Sequence, residues 1–361
     1  MSGTEKLSKW DLDTPALLLD VDVLEANIKQ MARFFAGRPA GLRPHAKTHK
    51  CAEVARRQLA AGAIGITCAK LGEAEALAGA ASDILIANQI VGASKIERLV
   101  HLRRRTDVMV AVDSAENVEQ LSAAASAAGV TLRILVEVEV GMGRCGVASP
   151  EAALALGRQV EAAPGLKFAG LMGYEGHAVM VTDYEQRKAT AEKAMAILTG
   201  AKTYLEAEGL PVGIVSGGGT GTYNFTGAYP GVTEVQAGSY ATMDGRYVTI
   251  VPEFRPALTV LATVISRPTS DRAITDAGMK VLSPEFGMPP VLRPQGLHTT
   301  KLSEEHGTLA GEGVTKLRLG DKVEVIPSHG CTTINLHDHY YVTQGERVVA
   351  VWPIDARGRA Q

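Results

Sequence analysis

The sequence predicts an α/β fold, a closed (β/α)8 barrel of the TIM type followed by a mostly antiparallel β domain. Three observations carry this expectation. The chain has 361 residues, 46% of them hydrophobic and 21% charged, which is room for a barrel plus an appendage at about 150 residues per domain. From Leu42 onward, short β-branched runs alternate with longer Ala-rich segments of helical period, the pattern of βα units. After about Arg246 the helical segments stop and the text becomes β-rich.

Eight runs read as strands: Leu42 to Lys47, Ile64 to Ala69, Asp83 to Asn88, Asp107 to Asp113, Thr131 to Val140, Leu166 to Tyr174, Val212 to Ser216, and Thr233 to Ala237. Between most of them lies a crossover helix, for instance Ala52 to Ala61, Ala115 to Ala128 and Tyr184 to Glu208. The connection after the seventh run, GGGTGTYNFTGAYPG, is too glycine-rich for a regular helix and predicts a binding loop with at most a short turn. Periodicity alone does not separate a barrel from an open doubly wound sheet; eight parallel runs favour the barrel. The later segments ALTVLATVISRP, DRAITDAG, DKVEVIPSHG and DHYYVTQGERVVAVWPI predict antiparallel strands, with a hairpin at Gln344-Gly345. The early segment PALLLDVDV is expected to pair with them. The predicted division is therefore a barrel over residues 20–246 and a β domain made of 1–19 plus 247–361.

Composition excludes several functions. Thirty-seven Lys and Arg against thirty-nine Asp and Glu give a net charge of -2, so no field is available to hold nucleic acid. Four scattered cysteines, Cys51, Cys68, Cys145 and Cys331, make neither a disulfide framework nor a zinc ribbon, and reduced thiols fit a cytoplasmic protein. No signal-like segment follows the first lysines, and no apolar run approaches the roughly 18 residues of a membrane span. Neither export nor a membrane partner is expected.

In a barrel, the carboxyl ends of the strands face the reaction site. Those ends here carry Lys47 in RPHAKTHK, Arg144 in GMGRCG, Tyr174 in GYEGH, and Ser216 with Gly217, Gly218, Gly219 and Thr220. The last run empties into Gly238, Ser239 and Tyr240. Loops after the seventh and eighth strands are the common phosphate site of such barrels, and glycines there let backbone N–H groups approach an anion. A lysine desolvated at a barrel mouth becomes an amine nucleophile able to form a Schiff base with an aldehyde. An amine together with a phosphate cradle points to pyridoxal 5'-phosphate. In the later domain, PSHGCTT read as a strand would put His329 and Cys331 on one face, where they could share one borderline metal. Other tempting residues read as structural. His337, Asp338 and His339 read as a surface strand, Cys145 as packing, and Arg103, Arg104 and Arg105 as a solvated helix end.

Taken together, RPHAKTHK, VEVGMGRCGV, GLMGYEGH, SGGGT, QAGSY and PSHGCTTINLHD, in this order, resemble the D-threonine aldolase and D-serine dehydratase group of fold-type III pyridoxal phosphate enzymes. The likeness runs from DTPALLLD to the end of the chain. It implies an alanine racemase-like barrel plus β domain, usually a homodimer. It also implies that Lys47 carries the cofactor, that Arg144 and Tyr174 surround its ring, and that Gly218, Gly219, Thr220, Gly238, Ser239 and Tyr240 cradle its phosphate. His329 and Cys331 match the metal-ligand positions, for manganese, zinc or magnesium. Two departures bear on the reaction: the aldolase branch typically has aspartate where Cys331 stands, and some relatives have glutamine where this chain has Ala69.

The implied reaction is cleavage of a β-hydroxy-D-amino acid to glycine and an aldehyde by a carbon–carbon lyase, with a metal-bound water or His177 as the base. The alternative is a dehydratase acting on D-serine or D-3-hydroxyaspartate, in which Lys47 takes the Cα proton and a keto acid and ammonia leave. An amino-acid racemase would need no metal. A non-catalytic pyridoxal phosphate carrier would normally lack the β domain.

Overall fold

A computed structural model describes residues 7–361. The first six residues, part of the 1–19 segment assigned to the β domain, lie outside the described residues. In chain order the first part comprises β1 (Ala16–Asp20), α1 (Val21–Phe35), β2 (Gly41–Leu42), α2 (Ala52–Ala60), β3 (Ile66–Cys68), α3 (Leu71–Leu77), β4 (Asp83–Gln89) and α4 (Ala93–Arg103). It continues through β5 (Asp107–Val112), α5 (Ala115–Ala128), β6 (Leu132–Glu137), α6 (Pro150–Ala162), β7 (Leu166–Met172), α7 (Tyr184–Ala207), β8 (Ile214–Gly217), α8 (Tyr223–Thr226) and β9 (Glu234–Val235). The second part comprises β10 (Leu258–Thr269), β11 (Arg272–Thr275), β12 (Val291–Arg293), β13 (His298–Leu302), β14 (Gly307–Ala310), β15 (Lys322–Val325), α9 (Gly330–Ile334), β16 (His339–Gln344) and β17 (Arg347–Pro353).

The chain divides into two compact units: one is residues Met31–Lys47, Ala52–Gly238 and Gly358–Gln361, the other the chain up to Gln30, Thr48–Cys51 and Ser239–Arg357. The first unit holds an eight-stranded parallel sheet in the order β2-β9-β8-β7-β6-β5-β4-β3. Its two ends meet. His45 and Thr67 form a parallel bridge, the Thr67 amide donates to the Pro44 carbonyl at 2.9 Å, and the Ala46 amide donates to the Thr67 carbonyl at 2.7 Å. The sheet is thereby closed into a barrel, as the eight runs predict.

Alternation along the strands explains its two faces. Leu85, Met109, Ala111, Leu135 and Met172 form one buried cluster contributed by four successive strands. Val108, Val110 and Val112 point the other way and are equally buried, as a strand covered on both sides requires. Each such side chain contributes about 1.5–3 kcal/mol on burial. Helix starts follow local chemistry: the Ser114, Ser149 and Asp183 side chains accept the amides of Asn117, Ala152 and Gln186 at the heads of α5, α6 and α7. At the amino ends of the strands, buried Arg43 reaches Glu234 and Asp83, and Arg133 reaches Asp83 and Asp107. The glycine-rich connection after β8 contains only the single turn α8, as its composition predicts.

The second unit is a mixed sheet in the order β13-β14-β11-β10-β1-β16-β17, with β15 pairing both β10 and β12. β1 runs antiparallel to β10 and parallel to β16, so the ALLLD of PALLLDVDV joins the later strands, while its final VDV opens α1. Leu12, Ala16, Leu18, Leu261 and Val348 form a buried cluster beside Trp10 and Tyr341. The β16–β17 hairpin turns at Gly345, whose φ of 62° suits a residue without a Cβ. Among the described residues, no helix is long and apolar enough to cross a membrane.

Candidate active site

In the barrel unit, Lys47 stands two residues beyond the His45–Thr67 bridge that closes the sheet. It is half-buried, and its Nζ lies 5.5 Å from the centre of the Tyr174 ring. The Arg144 guanidinium lies 5.8 Å from the same ring centre. One aromatic ring therefore collects the amine from the first barrel strand and the cation from the loop after β6.

That loop is held by Glu139. Its carboxylate accepts the Gly141 amide at 2.5 Å and the Arg144 amide at 3.1 Å, and the amides of Gly143 and Met142 also bond to it. Burial raises the pKa of this group, but the four amides outweigh burial and hold it below the ordinary carboxylate value. His177 is exposed and packs on the loop, since a Cβ at Gly141 would sit 3.2 Å from its Cε1 and Nε2. Behind the loop, burial pushes the Glu137 carboxyl up despite a 2.6 Å bond from Gln89 and the nearby Arg144 charge. Cys145 is half-buried and its thiol is also pushed up, first by burial and then by Glu137, which suits packing rather than nucleophilic work.

The glycine turn after β8 departs from the simple cradle expected of it. The Gly218 amide donates to Glu175 Oε2 at 3.0 Å, and the Gly219 amide donates to Thr222 Oγ1 at 3.2 Å. Both amides point into the protein, so these glycines act through their lack of a side chain. A Cβ at Gly219 would come 3.0 Å from Val179 and 3.3 Å from the Tyr174 ring, and one at Gly218 2.7 Å from Val235. Adding side chains would fill the space beside the ring. A phosphorylated aldehyde ligand fits this set: an amine for the aldehyde, an aromatic ring and a cation for its ring, and a turn with no Cβ.

The expected cradle residues are divided between the units, with Gly218, Gly219, Thr220 and Gly238 in the barrel unit and Ser239 and Tyr240 in the other. The Tyr240 side chain is fully buried, with its ring 5.8 Å from that of Phe254.

In the β unit, PSHGCTT is not a strand. His329 is extended, with φ -132° and ψ 113°, and caps the short helix α9, in which Cys331 is the second residue. The reversal is fixed from far along the chain, because buried Asp244 accepts the Gly330 amide at 2.9 Å. The turn still brings His329 and Cys331 within hydrogen-bonding reach. His329 Nδ1 lies 2.6 Å from Glu285 Oε2, and its ring stacks on Phe286 at 4.2 Å. The Cys331 thiol lies 3.5 Å from Thr48 Oγ1 and 3.9 Å from Ser239 Oγ. Burial lowers the His329 value, but Cys331, Glu285 and Asp244 together raise it to about 9. Among the described residues no group of three or more His, Cys, Asp or Glu forms a metal-holding cluster. The donor set is an imidazole and a thiol, a borderline-soft pair that leaves further positions open. Of the remaining residues, His337 Nε2 is 2.9 Å from the Val281 carbonyl oxygen and Asp338 pairs with Arg357, while Arg103 and Arg104 bond to the Thr131 and Ala128 carbonyls at the end of α4.

Sequence reading missed Glu139, Glu175, Asp244 and Glu285. Glu139 and Glu175 lie inside VEVGMGRCGV and GLMGYEGH, but their partners are mainly backbone amides and hydroxyls, which no spacing rule reveals.

The barrel that carries this lysine at its seam matches alanine racemase-like enzymes of the pyridoxal 5'-phosphate fold-type III class. Residues 19–245 match the alanine racemase N-terminal domain, and residues 257–343 match a putative serine dehydratase domain. The chain belongs to the alanine racemase N-terminal domain family. It is 41% identical over 353 residues to a D-threonine aldolase of an Arthrobacter species, covering 96% of this chain and 93% of that protein. The crystal structure of D-threonine aldolase from Filomicrobium marinum superposes with a TM-score of 0.95 at 40% identity over 99% of both chains. A D-threo-3-hydroxyaspartate dehydratase, solved as a cysteine-to-alanine mutant in the metal-free form, matches with a TM-score of 0.88 at 31% identity, covering 96% of this chain and 99% of that one.

Proposed function

We propose that the protein is a pyridoxal 5'-phosphate-dependent lyase of the D-threonine aldolase type, cleaving β-hydroxy-D-amino acids to glycine and an aldehyde. The observation that carries this reading is the convergence of Lys47 and Arg144 on the Tyr174 ring, in a chain 41% identical to a D-threonine aldolase along nearly its whole length.

Bound pyridoxal 5'-phosphate would supply an electron sink for charge developing at the substrate α-carbon. Lys47 Nζ would hold its aldehyde carbon, and Tyr174 and Arg144 would flank its ring. Thr220, Gly238, Ser239 and Tyr240 would hold its phosphate, with Gly218 and Gly219 shaping the turn. His329 and Cys331 would hold a divalent metal, which would supply a Lewis acid for the substrate hydroxyl. The thiol–imidazole pair suits zinc better than manganese or magnesium. His177 takes the proton from the β-hydroxyl oxygen, as the cleavage of the Cα–Cβ bond requires.

Cys331 favours one second reading, since the resemblance gives the aldolase branch an aspartate at this position and a dehydratase is among the structural relatives. In that reaction Lys47 Nζ takes the Cα proton, the β-hydroxyl leaves, and the products are a keto acid and ammonia. Incubation with D-threonine separates the two. Glycine and acetaldehyde are the expected products, and a keto acid with ammonia would overturn the aldolase reading in favour of the dehydratase. The substrate class is a small β-hydroxy-D-amino acid. We further place the protein in the cytoplasm, supported by four cysteines that form no disulfide, and as a homodimer, which the resemblance supports.

A further inference from the structure

Glu175 follows Tyr174 directly and is fully buried. Its Oε1 accepts the Thr222 hydroxyl at 2.7 Å and the Thr226 hydroxyl at 2.5 Å, and its Oε2 accepts the Gly218 amide at 3.0 Å. Thr222 Oγ1, having given its proton to Glu175, accepts the Gly219 amide at 3.2 Å. An ionised carboxylate only accepts, so every donation in this network runs towards Glu175. Burying that charge is costly, and the three donors offset the cost.

The direction of donation has a geometric result. The Gly218 and Gly219 amides are drawn inward, Gly218 is held at a φ of 80°, and the turn next presents Thr220. The same residue is joined by one peptide bond to Tyr174, whose ring faces Lys47 and Arg144. A placement that served only to plug the core would not need a charge so close to a turn meant for an anion.

We propose that Glu175 is a positioning residue for the cofactor phosphate: it sets the turn after β8 so that Thr220, not the Gly218 and Gly219 amides, meets the anion. This rests on the pyridoxal 5'-phosphate reading given above. The carboxylate touches no ligand itself; it acts through Gly218, Thr222 and Thr226, and it keys the turn to the strand end that carries Tyr174.

The test compares affinities of the full-length apoprotein for pyridoxal 5'-phosphate and for pyridoxal, which lacks the phosphate, by absorbance titration. In the unaltered protein the phosphorylated form binds more tightly. Glu175→Gln keeps the size but turns one acceptor into a donor, so that either the Gly218 amide loses its acceptor or the threonine hydroxyls must reverse their donation. It is expected to shrink the preference by about tenfold, or about 1.4 kcal/mol, with pyridoxal affinity little changed. Thr226→Val removes one donor and is expected to move the preference the same way by less; it decides the matter if Glu175→Gln does not fold. Parallel loss of both affinities, or a preference that stays or grows in the variants, overturns the assignment and leaves the cofactor reading standing. Equal affinity for the two forms in the unaltered protein overturns the cofactor reading and this assignment with it.

Discussion

Glu139 accepts the backbone amide of Arg144 at 3.1 Å and that of Gly141 at 2.5 Å, so one carboxylate closes the loop that presents the guanidinium to Tyr174. Replacing it by alanine leaves several amides to water and lets Arg144 wander. Glu139→Ala is expected to lower kcat/KM about tenfold. Because the loop is largely exposed, the thermal midpoint should fall by only a few degrees. Steady-state kinetics beside a melting curve checks both.

Lys47 is the covalent anchor in the proposed reaction. Lys47→Ala is expected to reduce turnover by roughly a thousandfold or more, and the purified variant should retain no colour once added pyridoxal 5'-phosphate is removed by desalting. Retained colour with retained turnover would remove the lysine from the mechanism.

Glu285 lies 2.6 Å from His329 Nδ1, which leaves Nε2 as the nitrogen to meet a metal. Partners of this kind typically change metal affinity by about 10–100-fold. Glu285→Ala is expected to weaken zinc binding by about tenfold, and Cys331→Ala by more, in calorimetric titrations of the metal itself.

Glu137 supplies a pH test. Burial raises its folded value above the ordinary 4.5, so the fold prefers the protonated carboxyl. The stability it contributes is complete below the unfolded value and is lost as pH rises through the folded one. Glu137→Gln should therefore match the unaltered protein at acidic pH and exceed it in stability at pH above the folded value. Denaturant unfolding across pH reads the crossover.

Arg43 is buried with Glu234. Arg43→Met strands that carboxylate and should cost about 3–5 kcal/mol, whereas adding Glu234→Leu should recover much of the loss, since replacing both members of a buried pair is often neutral. Urea unfolding of the single and double variants measures the difference.

The barrel was legible because its strands are buried on both faces and announce themselves as continuous apolar text, as DVMVAV and LRILVE do. Each of the eight runs overlaps an observed strand, although β2 and β9 span only Gly41–Leu42 and Glu234–Val235. Lys47, Arg144 and Tyr174 stand out because strand ends are where a barrel's chemistry is expected, and the structure brings the lysine and arginine within 5.5 and 5.8 Å of the tyrosine ring centre. The misreading of PSHGCTT has a clear cause. Pro327, Ser328 and the threonines suit extended chain, and the helix begins at Gly330 because Asp244, remote in sequence, captures its amide. The roles of Gly218 and Gly219 were hidden for the same reason: their amides turn towards Glu175 and Thr222, and such a direction leaves no trace in composition.

The seam at His45 and Thr67 ties reactivity to the integrity of the ring of strands. Lys47 hangs from the stretch of chain that joins the two ends of the sheet, so a slight parting there would misplace the amine while the remaining strands and helices stayed intact. On gradual heating the enzyme should fall silent before its circular dichroism changes, and the gap between the two temperatures would measure how firmly the ring is latched.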